Sequence, residues 1–159
     1  MKNRILRYLL PVLCLALQNS SGHMTDRVMI RDFQVHRVEF TNLLAMFLAD
    51  KGLLFFANGH IRPEDPQSAG VTTERLKEYE VIFSKLGLQG IGDFSRSGAM
   101  DEVWFFTSIK GPRESTFKHY AFVAQPAGGV VKDLDQGASK SAPYRLIEGR
   151  WYLALDDAD

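Results

Sequence analysis

This chain has almost no cysteine and no net charge. Its 159 residues include a single cysteine, Cys14, and its 19 basic residues are balanced by 19 acidic ones, so the formal net charge is zero. This balance argues against a nucleic-acid-binding protein, which typically carries a basic excess or a basic stripe. A lone cysteine cannot form an intramolecular disulfide, so a hydrophobic core has to stabilise the fold unaided.

Catalytic and metal-binding motifs are lacking as well. No serine lies in a Gly-x-Ser-x-Gly elbow, and the histidines, at 23, 36, 60 and 119, form no pair at the spacing of metal ligands. His60 lies near Glu64 and Asp65, and Asp133 lies near Asp135. We interpret both groups as solvated loops, because each lacks the further ligands that a metal site needs. The sequence therefore indicates no catalytic residue, no metal and no cofactor.

Residues 1–22 have the three-part pattern of a secretory signal peptide. Lys2, Arg4 and Arg7 make a basic start, residues 8–17 form an apolar run, and small or polar residues follow. The apolar run is well short of the ~20 residues that span a bilayer as a helix. The pattern therefore predicts export to the periplasm or beyond, without a stable membrane span after cleavage.

Cleavage fits two places, after Ala16, which puts Cys14 at the −3 position, and near residues 21–22. The residue before Cys14 is not small, so we do not expect lipidation there. Two alternatives stay open: translation that starts at Met24, and an uncleaved leader that acts as a weak anchor. Cleavage would remove three basic residues and leave 23–159 as a single domain with a net charge of −3.

Two segments have helical periodicity. Over 31–51, Phe33, Phe40 and Phe47 belong to an apolar stripe that recurs every three or four residues. Thr25-Asp26 could cap a helix in this region. The second segment, over 71–87, has a threonine cap, an apolar face and a glycine at its end.

Aromatic and β-branched residues predict antiparallel strands. The candidate strands are 103–109, 117–123, 144–147 and 150–155, with shorter ones at 53–57 and 90–96. Within 117–123, Tyr120 and Phe122 should face one way and His119 the other. Residues 60–70, which contain two prolines, predict an irregular loop. The whole predicts an α+β domain, with two main helices packed on an antiparallel sheet of four to five strands.

One part of the chain resembles a known pattern. The run Lys118-His119-Tyr120-Ala-Phe and the later Ile-Glu-Gly-Arg-Trp-Tyr-Leu hairpin of 147–153 are similar to small exported bacterial proteins of unassigned function. In those proteins a Lys-Gly-Tyr-Ala-aromatic strand precedes an Ile-Asp-Gly-x-Trp-Tyr-Leu hairpin. This chain departs by carrying His119 where glycine is usual. The resemblance, over about the final half of the chain, implies an exported α+β domain and supplies no catalytic residue.

Large aromatic side chains are predicted on both faces of the sheet. Alternation places Trp104 and Phe106 on one face and the intervening phenylalanine on the other. Exposed aromatic patches mark contact surfaces, so we expect a binding site among these side chains. Its candidate residues are Trp104, Phe106, His119, Tyr120 and Trp151. The alternative is that these residues only build a core and a helix-covered face.

These observations together predict an exported, non-enzymatic binding protein that recognises another protein of the cell envelope, as an inhibitor or an immunity protein does. One alternative is a small envelope hydrolase that uses His119 with Glu102 or Asp101. Another is a module that binds a small molecule or a lipid in an apolar pocket between the helix over 31–51 and the sheet.

The leader prediction can be tested by expressing the full-length chain in a bacterium and measuring its intact mass in each cell fraction. We expect a shortened protein in the periplasm. Leu13→Asp should block export, because a charge interrupts the apolar run, whereas Asn19→Asp, outside that run, should not. A full-length wild-type protein confined to the cytoplasm would contradict the prediction.

Overall fold

A computed structural model of the chain describes residues 24–57, 59–95, 101–107, 116–126, 128–136 and 144–157. The predicted leader lies outside these residues. Within them, the helices are α1 (Asp26–Val35), α2 (Arg37–Ala49) and α3 (Thr73–Leu86), with a 3₁₀ turn at Pro66–Ala69. The strands are β1 (Phe55–Ala57), β2 (His60–Arg62), β3 (Gly90–Asp93), β4 (Glu102–Phe106), β5 (Thr116–Val123), β6 (Tyr144–Glu148) and β7 (Trp151–Asp157).

The strands form a single sheet in the order β2-β1-β3-β4-β5-β7-β6, and every neighbouring pair is antiparallel. The predicted combination of helices with an antiparallel sheet is confirmed. The predicted sheet of four to five strands is wrong, because the described residues form seven, and a third helix joins the two expected. The missed strand is β2, which pairs back onto β1 after a turn at Gly59, where φ is 80°. Residues 60–70 are therefore not wholly irregular.

The predicted helix over 31–51 begins earlier and is divided in two. Thr25 caps α1, since its Oγ1 accepts a hydrogen bond from the N–H of Val28 at 3.3 Å. The division lies at His36, whose φ of −108° and ψ of 22° depart from helical values. α3 matches its prediction closely, with Thr72 as its cap and Gly87 at its end in the left-handed conformation.

The main core lies between the helices and one face of the sheet, which we call the helix-covered face. The alternation predicted along β5 is confirmed, because Tyr120 and Phe122 contact this core while the residues between them face the other side. The ring of Phe40 on α2 packs 4.6 Å from that of Tyr120 and 5.9 Å from that of Phe105. Phe33 on α1 completes the layer, 5.3 Å from Phe40. Aromatic rings thus fill the space between helices and sheet.

Among the residues that the structure describes, no helix is both long enough and apolar enough to cross a membrane.

Candidate functional site: the aromatic face of the sheet

The opposite face of the sheet carries a second apolar cluster, which we call the aromatic face. Its members are Phe55, Phe94, Trp104, Phe106, His119, Tyr144 and Tyr152, together with Ala121, Val123 and Ala154. Side chains alternate between the two faces along each strand, so residues two apart on one strand share this face. Strand pairing then aligns them into rows across the sheet. One row runs from Phe55 through Gly92, Trp104, Ala121 and Tyr152 to Leu146.

Stacked rings give this face a rigid centre. Phe94 lies nearly parallel to Trp104, with ring centroids 4.9 Å apart and planes 20° apart. Phe94 also meets the edge of Phe106 at 5.6 Å, and Phe106 in turn packs 5.0 Å from His119. Offset and edge-to-face arrangements of this kind are favourable beyond the area they bury. Each ring therefore holds its neighbour in one orientation.

Gly92 leaves the space that these rings occupy. A Cβ atom at Gly92 would lie 2.8 Å from a ring carbon of Phe55 and 3.1 Å from one of Phe94. Any larger residue there would have to displace at least one ring. The glycine is thus required by the close approach of side chains, not by its backbone angles.

Glu102 is the polar centre of the aromatic face. Its Oε1 accepts hydrogen bonds from Nε1 of Trp104 at 2.7 Å and from the hydroxyl of Tyr144 at 2.5 Å. β5 and β7 lie between β4, which carries Glu102, and β6, which carries Tyr144. Three strand spacings amount to ~14 Å in a flat sheet, before any stagger along the strands is added. The two side chains meet only because the sheet curls toward this face.

The five residues predicted as a binding site fall into two groups. Trp104, Phe106 and His119 lie together on the aromatic face, whereas Tyr120 and Trp151 lie in the main core. Trp104 is 9% exposed and Trp151 is 7% exposed, so neither tryptophan itself offers much surface to a partner. The face of Trp151 depends on the register that aligns β7 with β5, which cannot be read from local patterns. Alternation along β5 had already placed Tyr120 and His119 on opposite faces, so grouping them in one site was wrong.

Phe94 is the exposed aromatic residue that the prediction missed. Its exposed fraction is 44%, and Leu146, on the same face, is 48% exposed. Phe94 lies two residues after Gly92 along the chain, so alternation places both on one face. That spacing was available in the sequence and could have revealed it.

His119 is the central residue of the hydrolase alternative, and it is buried. Only 2% of it is exposed, and the rings of Trp104 and Phe106 pack against it at 5.6 and 5.0 Å. Glu102, one of its proposed carboxylate partners, uses Oε1 to bind the side chains of Trp104 and Tyr144. Both side chains therefore contribute to the packing of the aromatic face.

A cluster of charged side chains lies at one end of the helix-covered face. Lys118 on β5 donates hydrogen bonds from Nζ to Asp26 at 2.7 Å and to Asp135. Arg145 on β6 binds the other oxygen of Asp26 at 2.7 Å. The N–H of Leu134 donates to that same oxygen at 2.6 Å. The cluster thus ties the start of α1 to β5, to β6 and to the segment that carries Asp135.

This cluster corrects the interpretation of residues 133–135 as a solvated loop. Leu134 is buried, and both flanking aspartates pair with basic side chains. Asp26, Asp133 and Asp135 form the only group of three potential metal ligands in the described part of the chain, with ligand atoms within 4.8 Å of one another. The ammonium group of Lys118 already lies among these carboxylates, so the arrangement is that of an ion-pair network.

The pKa of Asp26 is set by opposing effects. Burial raises this pKa, but hydrogen bonds from Lys118, Arg145 and the N–H of Leu134 outweigh burial, and the net shift is downward from the ordinary value of 3.8. A carboxyl group whose pKa is lower in the folded state binds fewer protons there than in the unfolded chain. Its contribution to stability is therefore present above about pH 4 and is lost as the pH falls below it.

We expect Asp26→Asn to lower the free energy of unfolding at pH 7 by about 3 kcal/mol, because it removes one partner from a buried ion pair. The variant should also lose stability less steeply than the wild type between about pH 4 and pH 2. Urea unfolding across this range measures both effects. Asp133→Asn, at a half-buried carboxylate 4.0 Å from Arg145, is the control and should leave the profile nearly unchanged. Parallel profiles for wild type and Asp26→Asn would contradict the assignment.

We expect Gly92→Ala to destabilise the protein by about 1–3 kcal/mol, because the added methyl group overpacks the aromatic face. The near-ultraviolet circular dichroism should change as the rings move. Gly70→Ala is the comparison, since Gly70 has open space around its Cβ position but a φ of 72°. In that variant the backbone should be strained, but the near-ultraviolet circular dichroism should match that of the wild type. Unchanged aromatic spectra in both variants would refute the role given to Gly92.

The chain was compared with models of protein families, with curated proteins and with solved structures, and none of the three comparisons found a match.

Proposed function

We propose that this chain is a non-enzymatic binding protein that recognises another protein through its aromatic face. The observation that carries the proposal is Phe94, which is 44% exposed although it stacks directly on a buried tryptophan. Exposed aromatic side chains with buried support are typical of the residues that dominate binding energy at protein interfaces.

The rigidity of this surface supports the proposal. Phe94 is held from two sides, by Trp104 at 4.9 Å and by Phe106 at 5.6 Å. A side chain that is already fixed loses little conformational entropy when a partner covers it, and more of its contact energy then appears as affinity. Leu146, at the other side of the curled face, adds a second exposed apolar group. A partner would cover both.

The competing functions have less support. A hydrolase needs an accessible base, and His119 lies beneath aromatic rings. A lipid- or ligand-binding module of the kind outlined above needs an empty interior between helices and sheet. Phe40 in that interior contacts the rings of Phe33, Phe105, Tyr120 and Trp151 at 4.6 to 6.0 Å.

The proposal includes export and a partner in the cell envelope. The leader pattern of residues 1–22 supports export. An inhibitor or an immunity protein acts by covering its target, which requires a stable contact surface and no catalytic group. The balanced charge of the chain makes nucleic acid an unsuitable partner.

We expect Phe94→Asp to abolish capture of the partner. Tagged protein beginning at Met24 is incubated with native envelope extract, and bound proteins are identified by mass spectrometry. The wild type should retain one protein at near-equal stoichiometry. A charge at the centre of the interface should weaken this binding by about thirtyfold or more, as expected for a residue that contributes about 2 kcal/mol.

Val81→Asp is the matched control, because Val81 is an exposed apolar residue on α3, away from the aromatic face. It should retain the partner fully, and thermal unfolding should verify that both variants are folded. Equal retention by wild type and Phe94→Asp would refute the proposal. So would the absence of any captured protein.

A further inference from the structure

A groove lies at the end of the sheet where β1 pairs with β2. Its volume is about 580 Å³, and its lining includes Phe55, Ala57, His60, Arg62 and Glu64. Strand pairing explains the lining, since Phe55 is opposite Arg62 and Ala57 is opposite His60. Small-molecule sites commonly have volumes of ~300–1,000 Å³, so the groove has a suitable size.

The groove combines an apolar floor with polar side chains that have no hydrogen-bond or ion-pair partner among the described residues. The half-buried ring of Phe55 forms the floor, while the side chains of His60, Arg62 and Glu64 are exposed. Within the residues that the structure describes, none of these three polar side chains forms an ion pair or a hydrogen bond. This differs from Arg37, Arg75 and Arg145, which each pair with a carboxylate.

Arg62 has the geometry and charge to recognise an anion. A guanidinium group presents several N–H donors in a fixed plane and binds carboxylates or similar anions through two parallel hydrogen bonds. His60 adds an imidazole N–H donor to the lining, and Glu64 adds one carboxylate. The N–H donors of Arg62, which no carboxylate pairs with in the described residues, therefore suit a negatively charged head group.

The apolar floor specifies the rest of the ligand. Phe55 packs 5.7 Å from Phe106, which fixes its ring against the aromatic face. A flat apolar body can lie against this ring while its head group reaches Arg62, which is opposite Phe55 in the strand pairing. The two features select an amphipathic molecule.

We propose that this groove binds a small organic anion with a flat, apolar, aromatic body, its anionic group paired with Arg62 and its body seated on Phe55. The site adjoins the Phe94 surface proposed to contact a protein, since the rings of Phe55 and Phe94 both lie at Gly92. It differs from that surface in its anion-binding group, Arg62 on β2. It therefore adds a second ligand class to the function proposed above.

The probe is anilinonaphthalene sulfonate, an aromatic anion whose fluorescence rises in an apolar site. Titration of the folded protein beginning at Met24 should give saturable binding of one probe per chain. Arg62→Gln should weaken this binding about tenfold or more, through loss of a charge-assisted hydrogen bond. Phenylnaphthylamine, the same aromatic body without the sulfonate, should bind wild type and Arg62→Gln equally.

Two controls separate this site from other surfaces. Arg31→Gln removes an exposed arginine on α1 and should leave probe affinity unchanged. Val81→Asp, at an exposed apolar residue of α3 away from the aromatic face, should also leave it unchanged. Equal weakening by Arg62→Gln and Arg31→Gln, or the absence of saturable binding, would overturn the proposal.

Discussion

The alternation of side chains along β5 is the constraint on which the rest of the structure depends. β5 lies between β4 and β7 near the middle of the sheet, and it supplies residues to both faces. Lys118 and Tyr120 face the helices, where one enters the charged cluster and the other the aromatic core. His119 faces the opposite side and packs among the rings of the aromatic face. A shift of one residue in register would exchange these roles and bury the wrong groups on both sides.

The two faces of the sheet are stabilised by different interactions. On the helix-covered face, apolar rings and one ion-pair network hold α1 and α2 against the sheet, and this side is closed. On the aromatic face, the hydrogen bond between Glu102 on β4 and Tyr144 on β6 joins two strands across the curled sheet. The buried rings then form a fixed support for the few groups that stay exposed, Phe94 and Leu146 among them. We therefore expect the functional contact on the aromatic face, whose rings are tightly packed but partly exposed.

Local signals in the sequence were sufficient for part of this account. The cap and the terminal glycine of α3, the alternation along β5 and the hairpin of β6 with β7 all depend on neighbouring residues, and each was predicted. The break at His36 was missed, because the apolar stripe continues across it. The short strand β2 was also missed, although it pairs with neighbouring β1, because the two prolines of residues 60–70 indicated a loop. The charged cluster could not be predicted either, since Asp26 and Lys118 are 92 positions apart. The separation of Trp104 from Trp151 likewise follows from strand register, which no local pattern contains.

The chain has two tryptophans, one on each face of the sheet, and this distribution allows a direct test of the central claim. Fluorine NMR of protein labelled with fluorotryptophan should give one signal for Trp104 and one for Trp151, assigned by replacing each in turn with phenylalanine. The partner is the protein captured from envelope extract. On saturation with it, the account predicts that the Trp104 signal shifts while the Trp151 signal stays in place. A shift of the Trp151 signal alone would place the contact on the helix side and contradict the account, as would binding that moves neither signal.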